Sequence, residues 1–431
     1  MIMKIVETGS KYLVLMKDMA SVNGADPVRV LARGRVGSFD QAPPNAVTVD
    51  VAGFISKVNS LGEEIKFQLV AMDEEVDLVM TALIAGETVF FLSLPGAAKT
   101  TMARMVAQGI DGKFFRKNIT ADVSRNDIFG PLDPEKIKQG EWGRKLAGLA
   151  TATVSTLDEV FKGSGPVLDM LLEALEEHTL SEPDRIHHLP LVLGIAASNE
   201  LVNATIHNAF WDRLIIRKEV NYPTRSEDWE SLLYCVHGTV PIKTRLDPEE
   251  IMLVQGLVEL KAGELPLGIA KRMTRIKVQL DKKGIVVSPR RFLAWARVAT
   301  ASALLMGQNE IGSKALMVGQ HILWVHTDEI ADVRDVVGRL SDPERGILLA
   351  AAADLEQITA NLDNDDTTLE HLVHWQAKLQ KHQRIIETKV TDPDLRSEKD
   401  ELLKRFHVAG ASMIARSSDL MSKASKQAAG S

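Results

Sequence analysis

The sequence predicts an α/β protein, a three-layer domain on a parallel sheet with a helical half attached. Three observations carry this. "TVFFL" (88–92) is a continuous β-prone run, the pattern a parallel strand buried on both faces requires. "TATVST" (151–156) and "LPLVLGIAAS" (189–198) are further strand candidates. Amphipathic helical segments stand between these runs, and alternating β and α stacks helices against a parallel sheet. At 431 residues the chain is too long for a single core.

Taken in order, residues 1–60 read as a small β-type extension. "RVLARGRVGSF" and "NAVTVDVAGF" are short β-branched runs between turn residues, with Pro43-Pro44 as a break. Residues 61–225 read as the α/β domain. Over 74–85, Val76, Val79, Met80, Leu83 and Ile84 recur at helical spacing. "TTMARMVAQG" sets Met102, Met105 and Val106 on one side of a helix. "GPVLDMLLEALEEH" places Leu168, Leu171, Leu172 and Leu175 at i, i+3, i+4 and i+7. Residues 226–341 lose the strand runs and read as a helical lid, with "PEEIMLVQGLVELKAG" and "RRFLAWARVATASALLMG" as its clearest helices. In 342–431, Leu369, Leu372, Trp375 and Leu379 repeat over a charged background, which suits a helical hairpin or a short coiled coil.

Composition narrows the function classes. A net charge of −7 argues against nonspecific binding to DNA or an anionic membrane, while leaving room for a local basic face, and makes a nucleic-acid partner the less expected one. The single cysteine, Cys235, excludes an internal disulfide and a cysteine-based zinc cluster, and suits a reducing compartment. The longest apolar stretch, 78–92, is interrupted by Gly86-Glu87, so no membrane insertion is expected and the cytoplasm follows by elimination.

The chemistry starts at "FLSLPGAAKT" (91–100). A phosphate cradle needs converging backbone N–H groups with a helix N-terminus behind them. Strand, Pro95-Gly96 turn, Lys99-Thr100 and helix follow in that order. The candidate nucleotide contacts are Pro95, Gly96, Ala97, Ala98, Lys99, Thr100 and Thr101. The strict pattern G-x-x-x-x-G-K-[ST] is incomplete, because Ser93 and Ala98 fill its glycine positions. Alanine is the smallest alternative, so Ala98 is expected to cost little, whereas Ser93 is the doubtful change. An ordinary strand–turn–helix with an exposed lysine would give a similar string.

Four further signals follow along the chain. "VSTLDEV" ends in Asp158-Glu159, 59 residues after Lys99. At a strand end, Asp158 could hold Mg²⁺ with the Thr100 hydroxyl, and Glu159 could orient or deprotonate the attacking water. A helix N-terminus rich in acid explains the same pair. The Thr/Ser-rich strand before Asp158 suggests a less buried or edge position. "GIAASNE" ends in Asn199, an amide able to position that water or simply to close a strand. "FWDRL" offers Arg213, an arginine finger for a neighbouring subunit or the partner of a solvated salt bridge to Asp212 or another nearby residue. In "VVSPRRF", Ser288 would cap a helix with Pro289 at its first position and aim Arg290 from the first turn, unless Arg290 is simply a surface arginine.

In this order and spacing the chain resembles AAA+ ATPases of the MoxR type, nearest the RavA-like branch, over roughly residues 61–325. "EEVDLVMTALIAGETVFFLSLPGAAKT" resembles the entry helix, first strand and phosphate loop, where alanine before the lysine is common. "LDEVFKGSGPVLDMLLEALEEHTL" resembles the acidic strand and its helix, and "AASNE" the polar strand end. "NAFWDRLIIRKEVNYP" resembles the arginine-finger region, and "VSPRRF" with "LW" at 323–324 the lid. The resemblance implies an AAA+ fold and ATP with Mg²⁺ as cofactors. It implies that Glu159, Asn199, Arg213 and Arg290 are catalytic, and that Thr100 and Asp158 are metal ligands. It also implies a homo-oligomeric ring, expected to be a hexamer, that acts on a protein client, sometimes a von Willebrand A-domain protein. The alternatives are a nucleic-acid motor or phage-type assembly ATPase, and a structural subunit that hydrolyses little.

Overall fold

The computed structural model describes residues 5–8, 11–14, 47–94, 96–183, 185–199, 210–234, 240–362, 367–391 and 395–429. Two compact units emerge, one from residues 1–267 with 286–325, the other from 268–285 with 326–431. Residues 226–341 are therefore divided between the units.

In the first unit, strands β1 (Ile5–Thr8), β2 (Lys11–Val14) and β3 (Val47–Val49) form a small antiparallel sheet. The β-type segment ends sooner than expected. Helix α1 (Val51–Lys66) starts directly after β3, capped by the Asp50 carboxylate, which accepts from the Gly53 N–H at 3.2 Å. "RVLARGRVGSF" lies outside the described residues.

Helix α2 (Asp73–Ala85) leads into the main sheet and stops at Gly86, where φ is +67°. The sheet comprises β4 (Val89–Ser93), β5 (Phe114–Asn118), β6 (Val154–Asp158), β9 (Leu193–Ser198) and β10 (Ile216–Val220). Its order is β10-β4-β9-β6-β5 and every pairing is parallel. Strands β7 (Thr179–Ser181) and β8 (Ile186–His188) make a separate hairpin. Helix α3 (Lys99–Gln108) connects β4 toward β5, and α4 (Gly165–Leu172) follows β6. With α2 against β4, β9 and β10, and α3 against β6, this is the three-layer α/β arrangement read from the sequence.

The register sets the site. Leu92 pairs with Ser198 and Asn118 with Asp158, so β4, β9, β6 and β5 finish along one edge. Ligands of parallel α/β sheets bind at the carboxyl ends of strands. One expectation fails here. β6 is neither exposed nor an edge strand, since it lies between β9 and β5 with residues 154–157 buried. Ser155 and Thr156 are 0% and 1% exposed, and their hydroxyls have no hydrogen-bond partner. Small, β-prone side chains fit between two packed layers even when they carry a hydroxyl.

The helices α5 (Pro248–Gly263) and α7 (Pro289–Leu305) also belong to the first unit and pack on α2 and on each other. The cap on α7 is the one expected, with Ser288 Oγ accepting from the Arg291 N–H and Pro289 at the first position.

The second unit is helical. It contains α6 (Leu267–Lys282), α8 (Ile330–Ser341), α9 (Pro343–Asn361), α10 (Leu369–Lys389) and α11 (Arg396–Ala429). Where the sequence suggested a hairpin or coiled coil over 342–431, three helices share one core. Leu348, Leu355, Leu372, Leu379, Ile386, Leu402 and Phe406 fill it. Trp375 packs at its margin.

Candidate nucleotide-hydrolysis site

β4 delivers the chain to the loop and α3 takes it away. Pro95 lies outside the described residues. Gly96 has φ +81°, and a β-carbon there would meet nothing within 4 Å, so the backbone faces open space. Ala98, at φ +50° and ψ 8°, is the residue before the first turn of α3. It therefore occupies the left-handed region that glycine adopts freely and alanine does not. The cost of Ala98 is conformational rather than steric, so it is not the small cost expected. Ala97, Ala98, Lys99 and Thr100 are half-buried, while Gly96 and Thr101 are exposed.

Lys99 donates to Ser93 twice, to the hydroxyl and, at 3.4 Å, to the carbonyl. Ser93 Oγ also donates to the Leu94 carbonyl at 3.2 Å. Burial pushes the Lys99 ammonium below its ordinary value, while the nearby Asp158 and Glu159 carboxylates favour its charge. The lysine and the acidic pair thus share one site.

Asp158, at the end of β6, is held by Arg116 from β5, whose Nε and Nη2 lie 3.2 and 3.1 Å from Oδ2. Glu159 follows at φ +56°, a second non-glycine residue in the left-handed region. Strained backbone of this kind collects at functional sites. Glu159 Oε1 accepts from Asn199 Nδ2 at 2.5 Å. Its Oε2 is buried without a hydrogen bond, with Lys162 Nζ 3.4 Å away. One carboxylate oxygen is fixed by the amide and the other faces the Lys162 ammonium.

These residues fit Mg²⁺ and a triphosphate. Among the described residues, no three His, Cys, Asp or Glu side chains form a metal cage. A site built from Thr100, Asp158 and phosphate oxygens suits Mg²⁺, which keeps most of its waters and takes one or two carboxylates.

The two remaining arginines are brought together with each other. Arg213 Nε lies 2.5 Å from Glu176 Oε2, and Arg290 Nε lies 3.1 Å from Glu176 Oε1. Of the two salt-bridge partners the sequence allowed, Arg213 takes a nearby carboxylate, Glu176, and Asp212 turns elsewhere. Its Oδ1 accepts from Ser288 Oγ at 2.8 Å and its Oδ2 lies 3.4 Å from Arg290 Nη1. Arg291 turns inward, 1% exposed, and donates to the Trp324 carbonyl at 2.6 Å. Beneath this surface, Trp211 packs edge-on against Phe90 of β4, at 5.2 Å between centroids, and lies 5.8 Å from Phe161. Arg217, fully buried, stacks 3.8 Å above the Trp211 ring and donates to the carbonyls of Leu214 and Trp324.

Arg116 and Glu176 are the residues that sequence reasoning missed. Each meets its partner across at least 37 positions, so no local spacing announces it.

Residues 56–241 match the family described as the MoxR domain in the MoxR-vWA-beta-propeller ternary systems, and residues 268–337 match an AAA lid domain. The protein MJ0812 of Methanocaldococcus jannaschii is 31% identical over 295 residues, 68% of this chain and 78% of that protein. MJ0079 of the same organism is 31% identical over 312 residues, 72% and 80% of the two chains. Among solved structures, a candidate ATPase from Cytophaga hutchinsonii superposes with a TM-score of 0.55 at 15% identity, covering 67% of this chain and 94% of the other. The chain belongs to the MoxR family of AAA+ ATPases.

Proposed function

We propose that the chain forms a ring, a hexamer by family resemblance, that hydrolyses ATP with Mg²⁺ and uses the energy to remodel or activate a protein client. The observation that carries this reading is the convergence of Lys99, the Asp158-Glu159 pair and Asn199 at the carboxyl ends of adjacent strands. The loop 96–101 with Lys99 would bind the phosphates, and Thr100 and Asp158 would hold the metal. Mg²⁺ supplies charge neutralisation across the phosphate oxygens. Asn199 aligns Glu159, whose other oxygen would orient the attacking water.

Arg213 and Arg290 share one carboxylate, so they act as one unit. We assign both to the neighbouring subunit's nucleotide, where an arginine finger is worth about 10³–10⁵ in rate. The RavA-like reading rests on "VSPRRF" and Leu323-Trp324. A von Willebrand A-domain partner is supported by the description of the matching family. Among the described residues, no helix is long and apolar enough to cross a membrane. The single cysteine supports a cytoplasmic site of action.

Steady-state ATP turnover of the wild-type chain and of Glu159→Gln tests the core of this reading. Turnover that is lost in the variant, with nucleotide still bound, is expected; equal near-zero rates in both would favour a structural subunit. Retention of a protein client by the Glu159→Gln trap is also expected. Stimulation by DNA or RNA with none by protein would point to a nucleic-acid motor instead.

A further inference from the structure

Helix α4 does not end as an α-helix. It runs into a π turn, Glu173–Glu177, and stops at His178, whose φ is +54°. His178 is fixed in this left-handed conformation, with Nδ1 2.6 Å from the Leu191 carbonyl oxygen. A π turn re-aims the side chains it carries and occurs frequently at functional sites. This one carries Glu176.

Each oxygen of Glu176 takes one arginine, Arg213 through Nε at 2.5 Å and Arg290 through Nε at 3.1 Å. The two arginines come from separate elements, Arg213 following Trp211-Asp212 and Arg290 from the first turn of α7. Two guanidinium groups brought this close repel unless an anion lies between them. Glu176 is that anion, and Asp212 adds a second contact to Arg290 at 3.4 Å. The three side chains are only 28–41% exposed, so solvent screens the pairing incompletely.

We propose that Glu176 is a positioning residue that clamps Arg213 and Arg290 into one pair and presents them to the nucleotide of a neighbouring subunit. The proposal rests on the ring reading given above. Glu176 would touch no nucleotide itself. Its loss would leave nucleotide binding by its own chain unchanged and would misalign the arginines, and a misplacement of about 1 Å can cost about a hundredfold in rate.

The test uses full-length rings and subunit mixing. Glu176→Gln keeps the size of the side chain and removes its charge. We expect kcat to fall about ten- to a hundredfold, with KM and the affinity for a fluorescent ADP analogue unchanged. Mixing Glu176→Gln subunits with Lys99→Ala subunits should restore turnover, because the first keep intact phosphate loops and the second keep clamped arginines. Mixing Glu176→Gln with Arg213→Ala should restore nothing, because both defects lie on the same side. Rescue in the second mixture, or weakened nucleotide binding by Glu176→Gln alone, would place Glu176 in its own chain's site and overturn the proposal, as would unchanged kcat. Should Glu176→Gln subunits fail to assemble, Glu176→Asp, which keeps the charge but not the reach, carries the same two mixtures. A wild-type ring without ATP turnover would instead overturn the proposed function on which this inference rests.

Discussion

The Ser93 hydroxyl accepts a hydrogen bond from the Lys99 ammonium. The residue standing where the phosphate-loop pattern has its first glycine therefore holds the loop's own cation. An incoming nucleotide must draw Lys99 away from it. Ser93→Gly removes that competing acceptor, so we expect ADP and ATP to bind about tenfold more tightly, the scale of one charge-assisted hydrogen bond after rehydration. Titration of a fluorescent nucleotide measures this. Unchanged or weaker binding would mean that the hydroxyl shapes the loop instead of restraining the lysine.

Arg116 stands toward Asp158 as Ser93 stands toward Lys99. Its guanidinium lies within 3.2 Å of the carboxylate that would hold Mg²⁺. Arg116→Gln should therefore tighten Mn²⁺ binding to the nucleotide-loaded protein, read by the paramagnetic resonance signal of the free ion. The pair is partly exposed, so the gain should be no more than about 1 kcal/mol, or roughly fivefold. A loss of metal affinity would give Arg116 a supporting role.

What the sequence made legible follows from range. The parallel sheet, α7 with its Ser288-Pro289 start, and the placement of Lys99, Asp158, Glu159 and Asn199 at helix or strand ends all declare themselves within a few residues, through periodicity, capping and strand ends. Arg116 and Glu176 act across the register of parallel strands or the space between a π turn and two distant segments, and no local pattern encodes those distances. The burial of β6 was misread for a related reason. Hydroxyl-bearing side chains signal exposure only on average, and strand order decides the matter.

Ala98 carries a φ of +50° at the start of α3. The left-handed conformation costs an L-residue about 1–2 kcal/mol, and glycine avoids this penalty. Part of that gain is lost to the greater freedom of glycine in the unfolded chain. Ala98→Gly should thus raise stability by about 0.5–1 kcal/mol, measured by denaturant unfolding of the nucleotide-free protein. A destabilised variant would mean that the methyl group makes packing contacts that outweigh the strain.

Glu74, in the first turn of α2, has its carboxyl held down to about 2 by the His321 hydrogen bond first, with Lys218 adding to the effect. A carboxyl depressed from its ordinary 4.5 contributes stability that is present above pH 4.5 and lost as the pH falls toward 2. Glu74→Gln should flatten the fall in stability across that window and lower stability at pH 7. Because the side chain is about half exposed, the change should not exceed about 1 kcal/mol. Parallel pH profiles for wild type and variant would mean that the pair contributes nothing.

Thr156 provides the sharpest test of the buried strand. It is 1% exposed in the middle of β6, between β9 and β5, and its hydroxyl has no hydrogen-bond partner. Burying a hydroxyl without a partner costs about 1–3 kcal/mol, whereas a methyl group of the same shape is favoured there. Valine also keeps the β-branched form that suits a strand. Thr156→Val should therefore stabilise the protein by about 1 kcal/mol, read as a higher denaturant midpoint with an unchanged slope. Thr156 lies two residues before Asp158 with its side chain in the core, so nucleotide affinity should hold constant. A stability loss would show that the hydroxyl finds a partner in solution; a change in affinity with stability unaltered would show that the core beneath Asp158 tunes the site above it.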